Sequence, residues 1–171
     1  AMSQKAWIAA EKSNIPKFYL NLKSYRKSLS SNSNPYTPAV NLVFALDEAL
    51  KMMREEGLDN IFLRHNKHKL AMSNAVKALN LKLFADEKCL SPSITAIKTE
   101  GMDAEEFRKT IKKNFDILLA GGQDHLKGKI FRVGHLGYVN DRDIITVVSA
   151  ISNTLLDLGK ITAQQAGEAL V

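Results

Sequence analysis

The residue with the clearest chemical potential in this sequence is an arginine set inside an apolar run, Lys129-Ile130-Phe131-Arg132-Val133-Gly134. The spacing predicts a strand over 129–133, with Phe131 and Val133 on one face and Ile130, Arg132 and Gly134 on the other. A guanidinium on a half-buried strand is costly unless an anion meets it. Its planar fork suits a carboxylate or a phosphate, which it grips through two parallel hydrogen bonds. Glycines crowd the same stretch, from Ala120-Gly121-Gly122-Gln123 to Gly134-His135-Leu136-Gly137, and leave room for something to approach the backbone. Without further context Arg132 has two explanations. One is a structural ion pair, the commoner fate of such a residue, and the other is a clamp for an anionic ligand.

Other side chains with chemical potential are more easily explained. His65 and His68 share a helix face three residues apart and could supply two metal ligands. No third ligand stands at a suitable spacing and Cys89 is alone, so both are expected to be partly buried structural histidines, with no metal. Base and aromatic side chains interleave over 17–27 (Lys17, Phe18, Tyr19, Lys23, Tyr25, Arg26, Lys27), and Arg64, His65, Lys67, His68 and Lys69 form a second cluster. With a net charge of +6 these raise the question of a polyanion. Neither cluster sits in a recognisable nucleic-acid motif, so solvated helix faces with inward-packed aromatics are expected and no nucleic acid.

The elements that must position these groups follow from periodicity. At 171 residues, 45% hydrophobic and 25% charged, the chain has the composition of one globular domain with a real core. No apolar run approaches the ~18 residues of a membrane span, and no charged-then-apolar leader opens the sequence. A lone cysteine fits a reducing, cytoplasmic setting. Helices are predicted over 3–11, anchored by Trp7, and over 18–29, separated by Ser13-Asn14-Ile15-Pro16. A Ser/Asn/Pro-rich loop over 30–38 leads to a long helix over 38–56. Its first half is apolar nearly all round (Ala39, Val40, Leu42, Val43, Phe44, Ala45) and should be buried on several sides. Gly57 ends it, and a helix over 59–79 buries Ile61, His65, His68, Met72, Val76 and Leu79.

Strands are then expected over 81–84, 94–97, 117–120 and 129–133. A helix over 103–115 turns Phe107, Ile111 and Phe115 inward, and another, opened by Asn140 with Asp143, carries Ile144, Val147, Val148, Ile151, Leu155 and Leu158. A short helix over 162–170 follows. Helices first and then strands mixed with helices imply an α+β sandwich, a small, mostly antiparallel sheet with helices mainly on one face.

With those elements placed, the sequence resembles the carboxy-terminal part of the class V aminotransferases, fold-type-I enzymes that depend on pyridoxal phosphate. The likeness is to the serine/alanine–glyoxylate and serine–pyruvate branch, which includes the soluble hydrogenase small subunits. It runs through Ser3-Gln4-Lys5-Ala6-Trp7, Phe18-Tyr19-Leu20-Asn21-Leu22-Lys23, Tyr36-Thr37-Pro38-Ala39-Val40, Glu56-Gly57-Leu58-Asp59-Asn60, Ala120-Gly121-Gly122-Gln123 and 127–137. Their order and spacing together are specific.

The resemblance implies that Arg132 binds the α-carboxylate of the substrate. It implies that Thr37 reaches the cofactor phosphate of a partner subunit, with Tyr36 or Asn34 assisting, and that the protein is a homodimer acting on an amino acid and a 2-oxo acid. In that family the lysine that bonds covalently to the cofactor and the aspartate that pairs with its ring nitrogen precede the region represented here. Ser3-Gln4-Lys5 imitates the surroundings of that lysine, but no proline-glycine segment follows, so Lys5 is a decoy. On this resemblance 1–171 is a small domain with a linking helix 38–56, its cofactor-bearing large domain outside the chain, and inactive by itself. Cysteine desulfuration on the same fold needs a cysteine on a mobile active-site loop, and Cys89 falls between two early strands instead. The alternative is a free-standing, non-enzymatic small domain that binds a partner or an anionic ligand.

Overall fold

A computed structural model of the chain describes residues 2–170. It divides into two units, Ala1–Met52 and Met53–Val171.

In the first unit, α1 (Gln4–Lys12) starts where the Ser3 hydroxyl accepts from the Ala6 amide. α2 (Leu22–Leu29) starts in the same way at Asn21, whose side chain accepts from the Lys23 amide at 3.1 Å. That cap sets the beginning of α2 beyond the expected residue 18, and a turn occupies 18–20. The aromatics of this segment do not pack into a core, since Phe18 is 80% exposed and Tyr19 56%. They gather on Tyr36 instead, with ring centroids at 4.7 Å for Tyr19, 5.9 Å for Phe18 and 6.3 Å for Tyr25. Trp7 is half-buried beneath the Arg26 guanidinium, 5.0 Å from its ring, so base and aromatic stack on each other. α3 (Val40–Glu56) runs on from this unit into the next. Its first half is open rather than buried, with Leu42 71% and Phe44 69% exposed, because no described residue covers it.

The second unit contains the sheet. Gly57, at φ +82°, takes the backbone from α3 into α4 (Leu58–Ala78) through a conformation that a side chain disfavours. Then come β1 (Lys82–Leu83), β2 (Ile94–Lys98), α5 (Ala104–Phe115), β3 (Ala120–Gly121), β4 (Ile130–Gly134), α6 (Asp141–Asp157) and α7 (Ala163–Glu168). Strand order is β1-β2-β4-β3, antiparallel throughout, with Ile97 opposite Phe131 and Ala96 opposite Arg132. The capping signals read from the sequence are realised. Asp103 accepts from the Glu105 and Glu106 amides, and Asn140 with Asp143 closes a reciprocal box at the head of α6.

α4, α5 and α6 cover one face, where Ile97, Phe131 and Val133 meet Met72, Val76, Phe107, Ile111, Val148 and Ile151. The α+β sandwich is therefore the observed fold, with the sheet's other face outside this core.

Three local expectations need correcting. The strand expected over 117–120 forms only at Ala120–Gly121. Asp116 closes α5 in the left-handed conformation, and the Leu119 carbonyl accepts from Arg108 Nε at 2.7 Å instead of from a strand. Phe115 and Leu158, expected inward, lie at helix ends where the apolar stripe turns away, and are 37% and 50% exposed. Stretches read as loops contain two 3₁₀ turns, Glu87–Cys89 and Asp124–Leu126. No described helix is long and apolar enough to cross a membrane.

Candidate functional site

Alternation along β4 decides where the arginine goes. Phe131 and Val133 are 0% and 3% exposed against the helix layer, so Arg132 between them emerges on the opposite face. Its neighbours across the sheet are two alanines, Ala96 on β2 and Ala120 on β3. Arg132 Nε donates to the Gly121 carbonyl at 3.0 Å, which fixes the plane of the guanidinium. Among the described residues no carboxylate lies within ion-pairing distance of it, so the structural ion pair is not what this arginine makes. A half-buried cation flanked by small side chains, with both terminal nitrogens uncommitted to an acid, is suited to a carboxylate ligand.

The glycines beside it do something other than expected. A Cβ on Gly122 would stand 2.1 Å from the Leu126 carbonyl oxygen, and one on Gly121 would stand 2.5 Å from Arg108 Nη1 and from Glu105 Oε1. The space at both is taken by the chain's own groups. Gly134, on the face of Arg132, has nothing within 4 Å of a Cβ and remains open to a visitor.

The segment leaving β4 is held by His135, His65 and Arg64, and of these sequence reasoning anticipated only the burial of His65. His135 is fully buried; its Nε2 accepts from the Thr95 hydroxyl at 2.9 Å and its Nδ1–H donates to the Pro92 carbonyl at 3.2 Å. His65 Nδ1–H donates to the Ile61 carbonyl at 2.8 Å, and its Nε2 accepts from the Gly137 amide at 3.2 Å. Arg64, assigned above to a solvated face, is half-buried. It forks onto Glu56 at 2.5 and 2.8 Å and donates to the Gly137 and Val139 carbonyls, both at 2.9 Å. That pairing holds the Glu56 carboxyl below the usual carboxylate range. The only sequence signal for it is an acid at the end of one helix and a base one and a half turns into the next.

His68 Nε2 lies 3.1 Å from Asp141, which also receives Lys67 at 2.6 Å, while His68 Nδ1 is buried with no partner among the described residues. The Lys67 hydrogen bond, and then that of His68, lower the Asp141 carboxyl below its ordinary value. His65 spends both nitrogens on Ile61 and Gly137, and His68 one on Asp141, so the two share no neighbour. Among the described residues no three His, Cys, Asp or Glu side chains converge as a metal site. Cys89 is exposed.

Burial pushes the His135 pKa below the ordinary histidine value, against the raising effect of the Pro92 carbonyl and helped by His68 and His65. Unfolded, the same side chain takes a proton near pH ~6.5, before the folded form does. Its contribution to stability is therefore full above that pH and is lost as pH falls through the lowered folded value. Thermal unfolding followed from pH 7 down to pH 5 should show a falling midpoint, with a shallower fall in His135→Asn. Equal slopes in the two proteins would remove His135 as the cause.

In the first unit Thr37 is exposed just ahead of α3, a 17-residue helix with no acid in its first turn. The Val40 amide is turned back to the Pro38 carbonyl, while the Ala39 and Asn41 amides make no backbone bond among the described residues. Hydroxyl, free amides and helix head together fit a phosphate. Tyr36 is half-buried, and its hydroxyl donates to the Phe18 carbonyl at 3.3 Å. Lys5 is exposed on α1.

No family model matches the chain. Individual proteins do. The soluble hydrogenase 42 kDa subunit of Anabaena cylindrica is 54% identical over 159 residues, covering 93% of this chain and 42% of that protein. The serine–glyoxylate aminotransferase of Methylorubrum extorquens is 33% identical over 169 residues, 94% of this chain and 42% of its own length. The crystal structure of ureidoglycine–glyoxylate aminotransferase from Bacillus subtilis superimposes with a TM-score of 0.86 at 31% identity, over 97% of this chain and 44% of that one. The chain spans less than half the length of these relatives, and the part it matches is their carboxy-terminal portion. Sequence and fold agree over almost all of it, and the homologues and structural neighbours of this chain are serine/alanine–glyoxylate-type aminotransferases and soluble hydrogenase small subunits, which it matches in their carboxy-terminal part.

Proposed function

We propose that residues 1–171 form the small domain of a class V, fold-type-I aminotransferase, linked through helix 38–56 to a cofactor-bearing large domain outside this chain. The observation that carries this reading is Arg132, a half-buried guanidinium on the sheet's open face with no acid among the described residues to neutralise it. In the whole enzyme an amino acid of the alanine or serine type would give its amino group to glyoxylate or pyruvate. The exposed apolar side chains of α3 suit a helix that the large domain covers.

Pyridoxal phosphate, when bound, supplies the electron sink for this exchange. This chain's share is to bind and orient. Thr37 would hold the phosphate through its hydroxyl and the free amides after it, and Tyr36 could exchange its bond to the Phe18 carbonyl for a phosphate oxygen. The phosphate would belong to a partner subunit, making the enzyme a homodimer, in the cytoplasm. The residues present fit only that end of the cofactor, since Lys5 lies exposed on α1 and is not offered as its covalent anchor. Arg132 would take both carboxylate oxygens on its terminal nitrogens while Gly121 holds Nε. This turns the α-carbon of the substrate toward a base supplied by the large domain.

Amino transfer by a longer protein carrying this segment is the test. Arg132→Gln should raise the KM for glyoxylate about 100-fold, the loss of a charge-assisted hydrogen-bond pair, with the unfolding midpoint unchanged. Unaltered kinetics would overturn the role of Arg132. The chain of 171 residues should neither retain pyridoxal phosphate nor transfer amino groups, and a sample that does either overturns the proposed division of labour. Binding of simple carboxylates with no transfer by the longer protein would support the alternative, a non-enzymatic domain that binds an anionic ligand.

A further inference from the structure

We propose that Arg108, braced by Glu105, is a positioning residue that sets the orientation of Arg132 through the edge strand β3. The inference rests on the reading of Arg132 as the carboxylate clamp.

A guanidinium grips a carboxylate with two parallel bonds at least entropic cost when its plane is fixed in advance. Here the fixing contact is the hydrogen bond from Arg132 Nε to the Gly121 carbonyl, so the clamp is only as steady as Gly121. β3 is two residues long and pairs with β4 alone, which is little to hold an edge strand.

What steadies it comes from α5. Arg108 Nε donates to the Leu119 carbonyl at 2.7 Å, two residues before Gly121, and Arg108 Nη1 donates to Glu105 Oε2 at 2.7 Å. The paired ends of those side chains lie where a Cβ of Gly121 would be, each 2.5 Å from that point. The ion pair therefore rests against the Gly121 Cα on one side while the Gly121 carbonyl receives Arg132 on the other. Gly122 closes the arrangement, its amide donating to the Ile130 carbonyl at 3.1 Å.

The pair is not a solvated surface bridge of negligible weight. The two side chains are 25% and 30% exposed, and the Nε bond goes to a backbone carbonyl beside the core residue Leu119. Lysine at 108 would keep the charge and could reach Glu105. It would lose the fork that serves Glu105 and Leu119 at once.

The experiment uses the whole chain, labelled with nitrogen-15, and follows the side-chain Nε–H signal of Arg132, assigned by its disappearance in Arg132→Lys. Two quantities are read, its exchange with water and its response to added glyoxylate. Arg108→Lys should speed the Nε–H exchange and weaken the glyoxylate response, each by about tenfold, the equivalent of one lost hydrogen bond. The Phe131 and Val133 amides in the body of the sheet should keep their protection.

A second variant guards against a failure to fold. Gly121→Ala leaves Arg108 in place but drives its end, with that of Glu105, away from the strand. The same two changes are expected.

A lowered unfolding midpoint with the Arg132 signal unchanged in either folded variant would make Arg108 merely structural and overturn the proposal. A wild-type signal that ignores glyoxylate would instead overturn the reading of Arg132. The exchange comparison would still decide whether Arg108 holds it.

Discussion

Phe131→Ala should cost about 3–5 kcal/mol, a third or more of the stability of an ordinary domain. Its ring is 0% exposed and lies 5.2 Å, centroid to centroid, from that of Phe107 on α5. Ile97 stands directly opposite on β2, so the cavity left behind would be walled by a sheet on one side and helices on the other, with little freedom to collapse. Urea unfolding followed by circular dichroism measures it. A loss below about 1 kcal/mol would mean that the packing of this layer has been misread. The next residue gives the contrast. Arg132→Met removes a charge on the other face and should leave the urea midpoint nearly unchanged.

Gly122→Ala is expected to be nearly as damaging for a different reason, at about 2–4 kcal/mol. The new Cβ would meet the Leu126 carbonyl oxygen at 2.1 Å and its carbon at 2.6 Å, and both belong to the backbone of the 3₁₀ turn Asp124–Leu126. No rotamer relieves such a clash. The turn must move, and with it the bond from the Gly122 amide to the Ile130 carbonyl. At Gly121, by contrast, the intruding methyl meets the ends of two flexible side chains, which can swing away. Alanine at 122 should therefore lower the unfolding midpoint much more than alanine at 121, and equal effects would contradict this account of the loop.

The strand bearing Arg132 was legible because alternation is a local property, with two large apolar residues bracketing a charged one. The caps at Asp103 and Asn140 were legible for the same reason. What the glycines were for was not legible from their positions. Gly121 and Gly122 look like room for a ligand, and only the approach of Arg108 and Leu126 from elsewhere in the chain shows the space already filled. Arg64 misled in the other direction. Its basic neighbours suggest a solvated face, whereas the acid and the carbonyls that hold it come from residues 56, 137 and 139. The first half of α3 has the composition of a buried helix but no cover among the described residues, because composition says that a surface wants covering and not what covers it. Thr37 and Tyr36 owe their proposed roles to resemblance, and only the free amides at the head of α3 add a physical reason.

The alternation of Phe131, Arg132 and Val133 along β4 has one more consequence. Sliding it by a single position against β2 would drive the guanidinium into the hydrocarbon layer and turn two of the best-buried side chains out to water. A misaligned sheet is thus penalised twice over, so the pattern that readies this strand to meet an anion also proofreads how the sheet assembles.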